Sequence, residues 1–206
     1  MGLSQRVSDM KPFIILRKNE QQVKQWSGGQ TTQLCIFPLE SSYELRNFDV
    51  RISTATVEVE HAVFTDLSGF QRTLMVLDGQ LNISHPASLI NEINLSQYDS
   101  YAFDGGLATE SIGRARDFNV MTSSRYMHQL EYKQINEGEH LIIPQNTDAT
   151  FVAIYLLHGS LSFYMQEESL LEQDMIWFDC RFSPKLELTA LSPCRFLVVS
   201  LTKKEN

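Results

Sequence analysis

Residues 74–83 read LMVLDGQLNI, and residues 154–163 read IYLLHGSLSF. Each run has four apolar residues, a polar residue, Gly, a polar residue, Leu, a polar residue and an apolar one. A Gly between two apolar runs is the mark of a tight hairpin, because Gly accepts the positive φ that such a turn requires. A second echo follows. LSQYDSYAFDG (95–105) resembles LEQDMIWFDC (171–180) if one residue is skipped, so that Leu95 matches Leu171, Gln97 matches Gln173, and Phe103-Asp104 matches Phe178-Asp179. Two copies of one β-unit in 206 residues predict an all-β chain of two small barrels or sandwiches.

The rest of the chain fits that reading. Short apolar or alternating runs between turn residues predict strands at 13–17, 32–37, 48–59, 72–77, 80–84, 93–95, 100–103, 118–122, 127–132, 140–143, 151–157, 160–165, 176–178, 186–191 and 195–201. Helical signals are weak: residues 19–25 could form a turn or two with Asn19 as N-cap, and 65–70 a loop or one turn. Asn136-Glu137-Gly138-Glu139 interrupts the pattern, which sets a first unit at 1–132 and a second, degenerate unit at 133–206.

Hydrophobic residues make up 43% of the chain, enough for a sizeable core, and the net charge is −8. With no Lys/Arg stripe, composition argues against nucleic-acid binding and against anionic membranes. Cys35, Cys180 and Cys194 stand at unrelated spacings with no CxxC, so neither a disulfide framework nor a Cys-rich zinc site is expected. No run approaches the roughly 20 apolar residues of a membrane span, and the N-terminus lacks a secretory apolar region. The chain reads as a reduced, cytoplasmic protein.

The candidate chemistry clusters in the first unit. Trp26-Ser27-Gly28-Gly29-Gln30-Thr31-Thr32 offers close backbone approach and hydroxyls, or simply a turn into a strand. In Phe48–Val57, period 2 puts Arg51 on one face with Ser53, Ala55 and Val57. Small neighbours leave room above a long cation. If both faces are covered, that cation needs a partner, either a ligand carboxylate held by the guanidinium fork or an internal ion pair, for instance with Asp117. Arg72 opens a strand, where a charge commonly means rim solvation. Asp117 and Asn119 alternate with Phe118 and Val120, which gives one polar face in an apolar region. Asp104, in Phe103-Asp104-Gly105-Gly106, is a turn residue first and a ligand-reaching acid second. The five histidines (61, 85, 128, 140, 158) form no HxH pair, and metal ligation is not expected. GxSxG, GxxxxGK[ST] and GxGxxG are all missing.

Taken in order, six of these pieces resemble the HutD/Ves family. They are Trp26-Ser27-Gly28-Gly29 with Thr31-Thr32; Phe48-Asp49-Val50-Arg51-Ile52-Ser53; Phe64-Thr65 through Gly69 to Arg72; Leu77-Asp78-Gly79; Phe103-Asp104-Gly105; and Asp117-Phe118-Asn119-Val120-Met121. The stretch runs from about residue 14 to 132, with a looser likeness to 200. The resemblance implies a bicupin fold and a metal-free, cofactor-free pocket in the first unit, lined by Trp26, Thr31, Arg51, Arg72, Phe103, Asp117 and Asn119. It also implies a small acidic ligand such as N-formylglutamate, in connection with histidine utilisation. Where many members carry Trp-Lys-Asn-Gly-Gly-Gly, this chain has the shorter Trp26-Ser27-Gly28-Gly29-Gln30. Two other functions remain open on sequence: a cupin enzyme (isomerase, lyase or hydrolase) with Asp117 or Asp104 as acid/base, and an interaction module that forms a homodimer through sheet edges.

Overall fold

The computed structural model describes residues 13–86, 92–143, 148–163, 168–182 and 185–205. In chain order the strands are β1 (Phe13–Leu16), β2 (Gln22–Trp26), β3 (Gly29–Phe37), β4 (Val50–Val57), β5 (His61–Val63), β6 (Phe70–Gly79), β7 (Leu81–Ser84), β8 (Ile93–Leu95), β9 (Ser100–Asp104), β10 (Glu110–Ile112), β11 (Ala115–Ser123), β12 (Tyr126–Ile135), β13 (His140–Ile143), β14 (Phe151–His158), β15 (Leu161–Phe163), β16 (Ser169–Leu170), β17 (Met175–Asp179), β18 (Leu186–Ala190) and β19 (Cys194–Lys203). A 3₁₀ turn at Lys18–Glu20 is the only helix among the described residues.

The chain forms two compact units. The first holds residues 21–130 and the C-terminal residues from Lys203; the second holds 131–202 and the N-terminal segment ending at Glu20. In the first unit a six-stranded sheet, β2-β3-β4-β11-β6-β9, faces a four-stranded sheet, β5-β10-β7-β8. Leu74 and Val76 from one sheet meet Leu81, Ile83 and Leu95 from the other in a shared apolar interior. In the second unit the sheets are β1-β17-β14-β19-β12 and β13-β18-β15-β16. Their interior is built on Val152, Ile154, Leu161, Phe163 and Leu188. Each unit is thus a pair of packed antiparallel sheets, and no closed barrel forms among the described residues.

The repeat in the sequence is a repeat of topology. The order β5-β10-β7-β8 returns as β13-β18-β15-β16, and β9-β6-β11 returns as β17-β14-β19. Both hairpin glycines hold positive φ, 80° at Gly79 and 92° at Gly159. A Cβ at either would also strike a carbonyl oxygen, that of Arg114 or of Pro193. These two glycines are therefore required twice over, by torsion and by space.

In the second echo the structure shifts the register by one. Leu95 pairs with Leu81, and it is Leu170 that pairs with Leu161. Tyr98 and Gln173 occupy the same left-handed turn, with φ of 69° and 70°. Tyr98 N–H donates to Val76 O and Gln173 N–H to Leu156 O, both at 2.7 Å. Asp99 accepts from Ser96 N–H and Asp174 from Leu171 N–H. The offset is therefore 75 throughout (95→170, 99→174, 104→179), no residue is skipped, and Leu171 is 55% exposed. Matching Gln97 to Gln173 by letter hides the shared aspartate cap.

Two further expectations change. Residues 19–25 are not a helix: after the 3₁₀ turn, Gln22–Trp26 forms the edge strand β2, exposed along its length. A polar edge strand lacks the buried alternation that marks a strand, and pairing with β3 decides its state. Residues 13–16 come first among the described residues, yet β1 pairs with β17 in register Phe13↔Phe178 to Leu16↔Met175. The Phe13 ring meets the edge of Phe163 at 5.2 Å. The opening strand therefore belongs to the second unit, which no local pattern could reveal.

Candidate functional site

Residues directly opposed in a ladder share a face, so the register alone assembles the site. One row runs Arg51–Met121–Arg72–Phe103 across β4, β11, β6 and β9. The next runs Gln33–Ser53–Asn119–Leu74, and the one after it Thr31–Ala55–Asp117–Val76. Six of the seven residues singled out in the sequence thus lie together in three successive rows on one face of one sheet. Leu74, Val76 and Phe103 carry that face into the apolar interior. The polar cluster is therefore internal to the unit.

Trp26 occupies the edge of this face, in the row Trp26–Gly29–Val57. That row is six residues from Arg51, about 20 Å along the strand. The indole ring lies against Gly28, where a Cβ would collide with it. Trp26 is 38% exposed and stands apart from the arginine pair.

Arg51 is only 7% exposed and Arg72 only 6%. Arg72 is thus not a solvated rim charge, despite opening its apolar run. The Arg51 Nε donates to Gln33 Oε1 at 3.1 Å and an Nη donates to Ser53 Oγ at 3.0 Å. Its guanidinium lies 4.4 Å over the ring of Tyr43. Arg72 lies 5.0 Å over Phe64 and 5.1 Å over Phe103, and its buried Nε has no hydrogen-bond partner. Neither arginine forms an ion pair among the described residues, so the internal pairing of Arg51 with Asp117 does not occur. Beside them the buried Asn119 Oδ1 accepts nothing.

Burial shapes the charges. It draws the Arg72 guanidinium down to about 10, against the attraction of Tyr43 and Asp117 and with the repulsion of Arg51. Burial also lowers Arg51. Both stay cationic at neutral pH. Asp117 is pushed up to about 7 by burial, with Arg72 pulling the other way. The arrangement is two buried cations, an idle acceptor and an acid poised between its two charge states, a set of charges and donors to which an anion would be complementary.

Asp104 does not join it. Asp104 pairs with Gln71, one residue off the Arg72–Phe103 row, so it faces the opposite way. Its Oδ1 accepts from Gly106 N–H at 2.8 Å and caps the turn. Asp49, in the Phe48–Ser53 motif, is likewise structural: it accepts from Ser123 Oγ and Arg125 Nε, both at 2.7 Å. A resident cation does not fit. No group of three His, Cys, Asp or Glu side chains could hold one among the described residues, and two guanidinium groups would repel it.

The reading from sequence missed Gln33, Tyr43 and Phe64. Gln33 follows Thr31 at period 2 and could have been found. Tyr43 sits in the β3–β4 loop, where no periodicity applies.

The second unit has lost this chemistry. The ladder pair Arg72↔Phe103 becomes Val152↔Phe178, Asn119↔Leu74 becomes Val198↔Ile154, and Asp117↔Val76 becomes Phe196↔Leu156. All six of the second-unit residues belong to one apolar cluster. The first unit alone keeps a polar interior at these positions.

The Asp117 carboxyl makes a stability prediction. Its folded value, about 7, lies above its ordinary 3.8, so the folded state holds the proton more tightly. That contribution is present below about pH 4 and is lost as pH rises to 7. Asp117→Asn is therefore expected to gain stability over wild type from pH 4 to 7 and then level off, in urea unfolding at pH 5 and pH 8. A gain equal at both pH values would refute it. The comparison with wild type is needed because His128 has the opposite slope: burial pushes it down to about 4, between the Thr73 and Thr122 hydroxyls at 2.7 and 2.8 Å.

No curated protein matches the chain. Among solved structures, a conserved protein of unknown function from Pseudomonas aeruginosa PAO1 superposes with a TM-score of 0.76 at 21% identity, over 94% of this chain and 100% of that one. HutD from Pseudomonas fluorescens SBW25 does so with a TM-score of 0.70 at 18% identity, over 94% and 100%. The bacterial pirin YhhW from Escherichia coli, in complex with nickel(II), gives 0.68 at 10% identity, over 93% and 100%. At such identities the likeness establishes the fold, a bicupin arrangement of packed sheets. The family model of HutD matches residues 18–196, and the chain belongs to the HutD family.

Proposed function

We propose that the chain is a binding protein for a small carboxylate, held in the first unit by Arg51 and Arg72, and that it serves histidine breakdown in the cytoplasm by holding an intermediate such as N-formylglutamate. The observation that carries this reading is the pair of buried guanidinium groups in one ladder row with no carboxylate paired to either among the described residues. An unpaired buried cation is costly, and a ligand carboxylate would supply the missing charge and acceptors. The unpartnered Asn119 Oδ1 would accept from an N–H or O–H of the same ligand. Three free cysteines suit a reducing compartment. HutD from Pseudomonas fluorescens is known in a formate condition, and formate is the smallest carboxylate.

Thermal unfolding with formate, acetate, glutarate, N-formylglutamate and the uncharged diamide of glutaric acid tests it. An acid present at 100 times its Kd adds about 2.7 kcal/mol, which for a chain of this size is about 5–10 °C. At least one acid is expected to shift the melting point, and the diamide is not. No shift with any acid, or an equal shift with the diamide, would overturn the reading.

A further inference from the structure

We propose that Asp117 makes this anion site proton-coupled: a dicarboxylate enters together with one proton, which comes to rest on the Asp117 carboxyl, whereas a monocarboxylate enters without one. The inference rests on the carboxylate reading above and extends it to what selects the ligand's charge.

Charge has to balance where little water is present. Asp117 is 3% exposed, on β11, and has no hydrogen bond or close ion pair among the described residues. The ionisable groups on the same side of the sheet are Arg51 from β4, Arg72 from β6 and Tyr101 from β9, with Tyr43 from the β3–β4 loop. His85, beyond β7, is held by Thr109 Oγ1 at 3.1 Å and Tyr101 at 3.2 Å. Glu44 acts on Arg51 only at a distance. Among the described residues the fixed charges of the cluster are therefore the two guanidinium cations, and Asp117 is its one buried acid.

With Asp117 ionised, the cluster carries one net positive charge, and a single carboxylate neutralises it. With Asp117 protonated it carries two, and two carboxylates neutralise it. A dicarboxylate that met an ionised Asp117 would leave a net negative charge buried, which costs far more than taking a proton from solvent. Arg72 is what links the two: its attraction for Asp117 is what holds that acid near neutrality, and a ligand carboxylate on Arg72 takes over the role. Protonated, Asp117 becomes a donor and can hydrogen-bond to the ligand's second carboxylate.

Titration calorimetry of the full chain with glutarate, N-formylglutamate and acetate, each in HEPES and in Tris at pH 8, reads the proton directly. Tris absorbs far more heat than HEPES for each proton it gives up. The expected result is an observed enthalpy that differs between buffers by nearly one proton's worth for the two dicarboxylates and by almost none for acetate. Dicarboxylate affinity should fall about tenfold per pH unit above pH 8. Asp117→Asn should bind dicarboxylates about tenfold more tightly than wild type at pH 8 and show no buffer dependence. Dicarboxylates that bind with equal enthalpy in both buffers would overturn the coupling and leave the anion site standing. Failure of every acid to bind between pH 6 and 8 would instead overturn the site itself. The wild-type buffer comparison stands on its own if Asp117→Asn does not fold.

Discussion

Arg72→Val, which gives the first unit the residue carried by the second at Val152, is expected to weaken a small carboxylate by about 10- to 150-fold without lowering thermal stability. The loss of affinity is that of a hydrogen bond to charge, about 1.5–3 kcal/mol. The stability side is less intuitive. Arg72 is 6% exposed, and its Nε has no partner. Its favourable contacts are the faces of Phe64 and Phe103, each about 0.5–2 kcal/mol. Against them stands the cost of a buried cation that has no ion pair, several kcal/mol. Val removes both, and the freed Asp117 can take a proton. Arg51→Ala is expected to show the same range of lost affinity. It should lose some stability as well, because Gln33 and Ser53 are left without their donor. The two losses will not add, since the guanidinium groups sense each other. Calorimetry with N-formylglutamate and urea unfolding of each variant provide the measurements. Affinity within twofold of wild type in Arg72→Val would remove that guanidinium from the site. A parallel fall in stability would make it a structural residue.

The contrast between the two units explains what was legible in the sequence. Hairpins announce themselves locally, through Gly79 and Gly159 with an apolar run on each side, so the repeat and the all-β class could be read directly. Period 2 then put Arg51 with Ser53 and Asp117 with Asn119 on single faces. What period 2 cannot supply is which strands lie side by side. The ladder that joins Arg51 to Arg72 through Met121 crosses β4, β11 and β6, which are distant in the chain. For that reason Arg72 looked like a rim charge when read along its own strand. The same limit hid the pairing of β1 with β17, and it made the exposed strand β2 look helical. Trp26 stands apart for a different reason. Its motif belongs to the family, but in this chain the ring lies on Gly28 at the sheet edge, about 20 Å along the strands from the arginine row. Tyr43, which stacks on Arg51, lies in a loop and leaves no periodic trace.

The reciprocal change is the more severe one. Val152→Arg is expected to destabilise the protein by more than about 4 kcal/mol, which lowers the melting point by about 8–16 °C for a chain of this size. Val152 is fully buried on β14, opposite Phe178. Where Arg72 finds Asn119 and Asp117 in the next rows, an arginine in place of Val152 would find Val198 and Phe196. It would have the aromatic face of Phe178 and the hydroxyl of its ladder partner Ser200, but no acid and no polar residue at the described positions on the rows beside it, which hold Val198 and Phe196. Val152→Thr supplies the graded step, with a hydroxyl in place of a methyl and a cost of about 1–3 kcal/mol. The expected order of stability in urea is therefore wild type, then Val152→Thr, then Val152→Arg. The threonine variant keeps the comparison measurable if the arginine variant does not accumulate in soluble form. A Val152→Arg protein that melts within about 3 °C of wild type would mean that the interior of the second unit admits water. A wet interior there would also remove the reason for assigning the ligand to the first unit alone, because what separates the two copies is a buried charge tolerated at Arg72 and excluded at Val152.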